Sequence, residues 1–180
     1  MKNSTISAAG YNGYIIRTAN RDDLPEVNRV YKSAREYMVR NGNPAQWSGG
    51  YPWPEMLDND INARQLYVIL SSDGKIHGVF AFIIGADPTY AVIENGAWLN
   101  DKPYGTIHRV ASDGKARGVF KACLSFCLER IDNIRIDTHA DNEKMQTTLT
   151  QNGFIKCGNI YVSDGVSDHS PRTAYQYICT

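Results

Sequence analysis

The sequence predicts a single α/β domain that is built on a mixed sheet. With 180 residues, the chain is most simply one domain, large enough to bury a substantial core. Strand-like runs and amphipathic helical stretches follow one another along the chain, and no repeat or low-complexity tract interrupts them. The apolar share of 42% and the charged share of 21% are ordinary for a globular protein.

The first half of the chain carries five element signals: a strand at 14–18, helices at 21–40 and 54–65, and strands at 66–71 and 75–85. The first helix has apolar residues at helical spacing, a capping residue in Asn20 and a stop at Asn41-Gly42. Ser72-Asp73-Gly74 is a hairpin turn signal between the two later strands. The loop at 41–54 is too aromatic for a flexible linker and too rich in Gly and Pro for a helix.

The second half predicts strands at 90–98, 106–112, 134–138, 154–162 and 173–179, with helices at 119–131 and 142–153. The helix after Gly118 is the clearest element, because its apolar residues form one unbroken stripe. Asp141 or Asn142 can cap the last helix, and Gly153 can end it in the left-handed conformation. A polar loop at 163–172 separates the final two strands.

Charge and hydropathy limit the classes of partner. Lysine plus arginine and aspartate plus glutamate number 19 each, so the chain lacks the basic excess of a large nucleic-acid surface. No apolar run approaches the roughly 20 residues of a membrane span, and the N-terminus lacks the apolar core of a signal peptide. We therefore expect a cytoplasmic protein with no nucleic-acid or membrane partner, in which residues 1–13 form a flexible extension before a domain at 14–180. The oligomeric state stays open, a homodimer included.

The four cysteines are predicted to be buried, reduced thiols: Cys123, Cys127, Cys157 and Cys179. Two of them stand four residues apart on the apolar stripe of a predicted helix. A zinc site would need close thiolate pairs or histidine partners at set spacing, and this sequence lacks them. We therefore expect no metal.

The segment Thr106–Phe120 is the most informative part of the chain. It reads as a strand, a loop with two glycines and two cations, and the start of a helix. The first N–H groups of a helix have no intrahelical acceptor, and the helix dipole places partial positive charge there. Lys115 and Arg117 add full charges. We call residues 113–120 the anion cradle and expect them to bind an anionic cofactor.

Two common cofactor motifs do not fit the cradle. The dinucleotide fingerprint needs three glycines spaced G-x-G-x-x-G, but only Gly114 and Gly118 are present. The P-loop needs Gly-Lys followed by Ser or Thr, whereas Val119 follows the second glycine here.

The run Lys115-Ala116-Arg117-Gly118-Val119-Phe120 resembles the first motif of the GNAT superfamily of N-acetyltransferases, Arg/Gln-x-x-Gly-x-Gly/Ala, which directly follows a strand and opens a helix. Asn142 stands three residues before Met145 and eleven before Gly153-Phe154, which is similar to that family's second motif. The order of the elements also agrees, so the resemblance covers most of the chain.

The resemblance implies a mixed, mostly antiparallel sheet with splayed middle strands and flanking helices. It also implies direct transfer of an acetyl group from acetyl-CoA, as cosubstrate, to an amine of a small molecule or peptide. The pyrophosphate would lie on the amides of residues 115–120, and pantetheine would pair with the strand before them. The implied cofactor-binding residues are Val110, Ala111, Ser112, Lys115, Ala116, Arg117, Gly118, Val119, Asn142 and Met145.

Three residues depart from the family pattern. Lys115 keeps the charge of the usual first residue but lacks the planar fork of arginine. Phe120 replaces the last small residue, and we expect it to belong to the core stripe. Leu149 stands where the family often has a tyrosine that protonates the leaving thiolate, so either another residue or solvent supplies that proton, or no dedicated acid is used.

His108 and Glu94 are the candidate general bases. A free imidazole titrates near pH 6.5, which suits a base close to neutrality, and burial of Glu94 among apolar residues would raise its pKa. The alternatives are a structural histidine and a turn carboxylate or ion pair. Asp137 and His139 could bind the amine, or cap a helix and stay solvated.

The sequence indicates less about the site for the amine acceptor than about the cofactor site. Trp47, Trp53 and Trp98 could line an acceptor site, or serve as ordinary core residues. Two other functional hypotheses stay open beside the N-acetyltransferase: a non-catalytic sensor of CoA or acyl-CoA on the same fold, and an acyltransferase that uses longer acyl groups.

Overall fold

The structure is a computed structural model that describes Tyr11, residues 13–162 and residues 171–179. Most of the predicted extension at 1–13 and most of the polar loop predicted at 163–172 therefore lie outside the described residues. Tyr11, at the end of that extension, is buried against Phe126 and donates a hydrogen bond to Glu129.

Seven strands form one sheet in the order β1-β2-β3-β4-β5-β7-β6. The strands are β1 (Ile15–Thr18), β2 (Leu66–Leu70), β3 (Ile76–Ile84), β4 (Gly105–Ser112), β5 (Asn133–His139), β6 (Ile155–Tyr161) and β7 (Pro171–Ile178). The helices are α1 (Leu24–Arg40), α2 (Pro54–Asn62), α3 (Val119–Leu128) and α4 (Glu143–Gln151). The predicted order of elements is confirmed apart from one strand.

The two middle strands diverge. All other neighbouring pairs are antiparallel, but β4 and β5 run parallel and pair only at Gly105 with Ile134 and at Thr106 with Arg135. Beyond those residues β4 continues to Ser112 and β5 continues to His139, but the two strands no longer pair with each other. The mixed, mostly antiparallel sheet with splayed middle strands is therefore confirmed, and the splay leaves a gap where a ligand can reach strand backbone.

Apolar side chains cover both faces of the sheet. Phe80 and Phe82 of β3 pack with Phe126 of α3 on one face, whereas Val79 and Ala81 belong to the cluster of α1 and α2 on the other. Successive residues of a strand point to opposite faces, so the uninterrupted apolar run of β3 is buried from both sides.

The prediction of a strand at 90–98 is wrong, because no strand lies between β3 and β4. Asp87 accepts a hydrogen bond from the Thr89 N–H, and a short 3₁₀ turn follows at Pro88–Tyr90. The chain then crosses the edge of β6, which it joins through a bridge between Glu94 and Asn159 and a hydrogen bond from the Ala97 N–H to the Cys157 carbonyl at 3.0 Å. Its apolar residues pack as single side chains rather than alternating along a strand.

Three of the four cysteines are buried as expected, but Cys179 is exposed because it follows the end of β7. Within the described residues, none of the helices is both long and apolar enough to cross a bilayer.

The segment that crosses the edge of β6 can approach that strand closely because residue 96 is a glycine. A Cβ atom on Gly96 would lie 1.8 Å from the carbonyl oxygen of Cys157. We expect Gly96→Ala to destabilise the protein by about 3 kcal/mol, because backbone atoms would have to move. In Gly74→Ala, the matched control, the new Cβ meets open space at φ +81° and should cost only about 1 kcal/mol. Urea unfolding measures both, and equal losses would contradict the expectation.

Candidate active site

A cleft of about 1380 Å³ lies over the gap between β4 and β5. Residues of α1 and of the loop after it form one wall, and the anion cradle with the facing sides of α3 and α4 forms the other. The floor is formed by β4 from Ile107 to Ser112 and by β5 from Ile136 to Thr138. The two regions that the sequence singled out, the cradle and His108, therefore share one cleft.

The N-terminus of α3 opens into this cleft. Gly118 is the N-cap with φ 76°, and it provides no side chain to accept hydrogen bonds from the first turn. A Cβ atom on Gly118 would meet nothing within 4 Å, because the residue faces open cleft. N–H groups left without a side-chain cap at the positive end of a helix dipole fit an anionic group such as a pyrophosphate.

Most of the cradle lines the cleft, and the two exceptions are Asp113 and Lys115. Ala116, Arg117, Gly118 and Val119 are among the lining residues. Lys115 is exposed outside the lining, and its N–H already donates to Asp113 Oδ1 at 3.0 Å. The amides available to a phosphate therefore start after Lys115.

Asp113 holds the cradle in place, and no motif in the sequence indicated this role. Its carboxyl group lies 3.1 Å from Arg29 Nη1 and 3.2 Å from His77 Nδ1. Burial opposes its ionisation, but hydrogen bonds from the Lys115 N–H, Arg29 and His77 outweigh that effect and hold the pKa of Asp113 below its usual range. On the other side of the loop, the Tyr14 hydroxyl donates to the Arg117 carbonyl at 2.7 Å.

We expect Asp113→Asn to lower the free energy of unfolding by about 1–3 kcal/mol at neutral pH, because charged hydrogen bonds are lost. A carboxyl whose pKa is lower in the folded state stabilises the protein above its unfolded pKa, near 3.9, and loses that contribution as the pH falls. The difference between wild type and variant in urea unfolding should therefore shrink toward acidic pH. Exposed Asp132→Asn is the control, and a difference that does not change with pH would contradict this role.

A bulge shapes β4 where it borders the cleft. The register between β3 and β4 shifts between Val79 and Ala81, and Arg109 on β4 has φ 52°. Arg109 Nη2 donates to Asp60 Oδ2 at 2.7 Å, and the Tyr31 hydroxyl donates to the Arg109 carbonyl at 3.1 Å. These contacts from α1 and α2 hold a backbone conformation that arginine rarely adopts.

His108 forms a pair with Asp87. The His108 Nε2 atom lies 2.8 Å from Asp87 Oδ2, and both residues line the cleft. The hydrogen bond from His108 keeps the pKa of Asp87 below its usual range although burial opposes this. Asp87 is fixed in turn, because its N–H donates to the Tyr104 hydroxyl at 2.9 Å and its Oδ1 accepts from the Thr89 N–H. A carboxylate so placed orients an imidazole and stabilises its protonated form.

Asp137 lies at the end of β5 and also lines the cleft. The Tyr90 hydroxyl donates to its Oδ1 at 2.7 Å. Burial raises the pKa of Asp137, while His108, the Tyr90 hydrogen bond and Arg172 oppose the rise. The splayed strands thus bring both His108 and Asp137 to the lining of one cleft.

Comparison with solved structures decides the family. A crystal structure of a GNAT-family acetyltransferase from Streptococcus agalactiae is 30% identical to this chain, with a TM-score of 0.82 over 93% of this chain and 96% of the other. The chain belongs to the GNAT family of acetyltransferases. No protein-family model matches the sequence, and no curated protein does either.

Two further solved structures of lower sequence identity share the fold. A putative acetyltransferase from Staphylococcus aureus has 22% identity and a TM-score of 0.65, over 91% of this chain and 98% of the other. A ribosomal-protein-alanine N-acetyltransferase from Brucella melitensis has 17% identity and a TM-score of 0.61, over 92% of this chain and 99% of the other.

The residues that the resemblance assigns to the second GNAT motif lie at the cleft, where the Asn142 side chain already has hydrogen-bond partners within the protein. Asn142 and Met145 both line the cleft. The Asn142 Oδ1 atom caps α4 by accepting from the Met145 N–H at 3.1 Å, and its Nδ2 donates to Gln46 Oε1 at 2.9 Å. Leu149, at the position of the usual GNAT tyrosine, is completely buried.

Phe120 combines two roles in this GNAT domain. Its ring packs against Phe154 with a centroid distance of 6.1 Å, as expected for the core stripe, and it also lines the cleft. A large ring therefore stands where the family pattern has a small residue.

The remaining predicted residues lie apart from the pair of His108 and Asp87. Glu94 is exposed in the crossing over β6 and is not part of the cleft lining. His139 is buried, and its Nδ1 accepts from the Asp141 N–H at 3.1 Å. Of the three tryptophans only Trp47 lines the cleft. Among the described residues, no group of three or more His, Cys, Asp or Glu side chains is arranged to hold a metal.

Proposed function

We propose that this GNAT acetyltransferase is an acetyl-CoA-dependent N-acetyltransferase that acts directly on an amine of a small molecule or peptide. One observation carries the proposal: a single cleft joins the uncapped N-terminus of α3 to the pair of His108 and Asp87. The first feature suits a pyrophosphate and the second suits proton removal from an amine.

The cofactor half of the cleft is assigned by its chemistry. The N–H groups at the start of α3 and the Arg117 side chain would bind the pyrophosphate of acetyl-CoA. The backbone of Val110, Ala111 and Ser112, along the edge of β4 that β5 leaves unpaired, would bind pantetheine. When bound, acetyl-CoA supplies an acyl thioester.

His108 would accept the proton of the attacking amine, directly or through water, while Asp87 stabilises the resulting imidazolium. Backbone N–H groups at the bulge of β4 would polarise the acyl carbonyl. A carbon–nitrogen bond forms as the carbon–sulfur bond breaks, and no covalent enzyme intermediate is needed. Because Leu149 cannot donate a proton, we assign protonation of the thiolate to water or to protonated His108.

Leu149 also favours a second candidate, a non-catalytic protein that binds CoA or acyl-CoA. The side chain is fully buried, so this position of α4 supplies no acid to the cleft. The cradle would still bind the cofactor in that case.

Calorimetry with acetyl-CoA, followed by CoA release with a broad amine panel, separates the two candidates. The panel includes a peptide with an N-terminal alanine, because one structural neighbour is named as a ribosomal-protein-alanine N-acetyltransferase. Turnover supports the enzyme, and tight binding without release of CoA supports the binding protein. Longer acyl thioesters test the acyl length. Cytoplasmic location and a homodimer stay predictions.

A further inference from the structure

We propose that the acceptor end of the cleft binds an amine with an apolar, aromatic body, in preference to a polyamine or an amino acid. The acceptor end is the part of the cleft lined by α1, the loop after it, and the residues around His108. The inference rests on the proposed function, since it names the substrate class of the same site.

Aromatic side chains line the outer wall of the acceptor end. Tyr37, Trp47 and Tyr51 line the cleft beside Met38. Tyr37 is 43% exposed and Trp47 is half-buried, so parts of both rings are available to a ligand. Partly exposed rings gathered at one wall offer an apolar ligand area to bury and faces to stack on.

The position of the Trp47 ring is enforced by its surroundings. Trp47 has φ 61°, a conformation that bulky residues seldom adopt. Its ring lies 5.7 Å from that of Tyr31 and 6.1 Å from that of Tyr51, between centroids. A strained backbone held by aromatic packing keeps the indole at the cleft before any ligand arrives, which lowers the cost of ordering on binding.

The side-chain oxygen of Gln46, beside Trp47 in the chain, already accepts two hydrogen bonds. Gln46 also lines this wall, and its Oε1 accepts hydrogen bonds from Asn43 Nδ2 at 2.8 Å and from Asn142 Nδ2 at 2.9 Å. A polar ligand body would have to compete with these bonds, whereas an apolar body leaves them intact.

The charges of the acceptor end are balanced by neighbours of opposite charge. Among the described residues there, Asp87 pairs with His108 at 2.8 Å and Arg109 pairs with Asp60 at 2.7 Å. Asp137 accepts a hydrogen bond from the Tyr90 hydroxyl, and the positive charge of Arg172 opposes the rise in its pKa that burial causes. A polyamine needs surplus carboxylates and an amino acid needs a surplus cation, because a charge without a partner is costly to bury. A single amine on an apolar body needs neither.

Calorimetric titration tests this inference, with 2-phenylethylamine, L-phenylalanine and spermidine as probes. L-phenylalanine is the matched compound, since it adds only a carboxylate to 2-phenylethylamine. Each probe is titrated into the free protein and into the protein saturated with CoA. We expect 2-phenylethylamine to bind about tenfold more tightly than either other probe. Equal or tighter binding of spermidine or L-phenylalanine, or no binding of 2-phenylethylamine, overturns the inference.

Substitutions of Trp47 test whether the aromatic wall is what binds 2-phenylethylamine. Trp47→Asn removes the ring but tolerates the left-handed backbone, and it should weaken 2-phenylethylamine binding about tenfold. Trp47→Phe should weaken it less, and Trp98→Phe, outside the cleft, should not change it. Thermal unfolding checks that the variants fold, and Tyr37→Ala replaces Trp47→Asn if that variant does not. Unchanged affinity in the folded variant without the ring overturns the inference.

Failure of the proposed function gives a different pattern. If CoA does not bind, or if amines bind without release of CoA from acetyl-CoA, the N-acetyltransferase assignment fails. The titrations of the free protein still decide which class of amine the acceptor end prefers.

Discussion

Gly118→Glu is expected to abolish CoA binding, with a loss of affinity greater than about a hundredfold. The new side chain would start from the N-cap of α3 and extend into the open cleft. Its carboxylate would occupy the place of the pyrophosphate and could itself accept the free N–H groups of the first turn. A charged hydrogen bond contributes about 1.5–3 kcal/mol, so the loss of two such bonds to the pyrophosphate would weaken binding by more than about a hundredfold.

The control for this variant is Gly74→Glu. Gly74 has φ +81° and open space around its Cβ position, close to the φ +76° of Gly118, but it lies in the turn between β2 and β3. The two variants therefore share the added charge and the left-handed strain. Calorimetry with CoA should show wild-type affinity for Gly74→Glu and no measurable binding for Gly118→Glu. Wild-type affinity in a folded Gly118→Glu protein would refute the assignment of the cradle.

His108→Ala should lower kcat by about 10²–10⁴-fold, the usual contribution of a general base. The affinity for CoA should stay unchanged, because the cradle is formed by other residues. Asp87→Asn should lower kcat as well, since an amide cannot stabilise the imidazolium. The hydrogen bond from His108 keeps the pKa of Asp87 low, so Asp87 stays ionised at neutral pH and the acidic limb of kcat should belong to His108.

Glu94→Gln is the matched control for the base. Glu94 was the other candidate from the sequence, and it is exposed outside the cleft lining. With an amine found in the panel, kcat is measured against pH for the three variants and wild type. We expect Glu94→Gln to keep the wild-type profile and His108→Ala to lose the acidic limb. A His108→Ala protein that retains both the rate and the acidic limb would show that His108 is not the base.

The elements that the sequence predicted correctly depend on local rules. The stripe of α3 follows from residues three and four apart, and Asn142 caps α4 by a hydrogen bond to the residue three positions later. Gly118 was recognised as a helix start because only a few neighbouring residues decide it. The prediction of a strand at 90–98 was wrong because it also used only local pattern. The apolar spacing there does not reveal that Tyr90 and Trp98 stack on each other in the folded protein.

The contacts that complete the site join residues far apart in the chain. Asp113 meets Arg29 across 84 positions, and Asp87 meets His108 across 21. No local sequence pattern marks either pairing. From the sequence alone, Glu94 and His108 were therefore equally good candidates for the general base. Only the packing of α1 and of the 3₁₀ turn against β4 shows that His108, and not Glu94, lies in the cleft.

The sequence by itself determined that a helix starts directly after Gly118, with cations nearby, because capping is a property of a few consecutive residues. The helix dipole at that start is the reason for predicting that an anion binds there. The folded structure was needed to show what faces that helix start. The divergence of β4 and β5, the bulge at Arg109 and the aromatic wall at Trp47 all arise from packing between distant segments. Those contacts place His108 in the same cleft as the cradle.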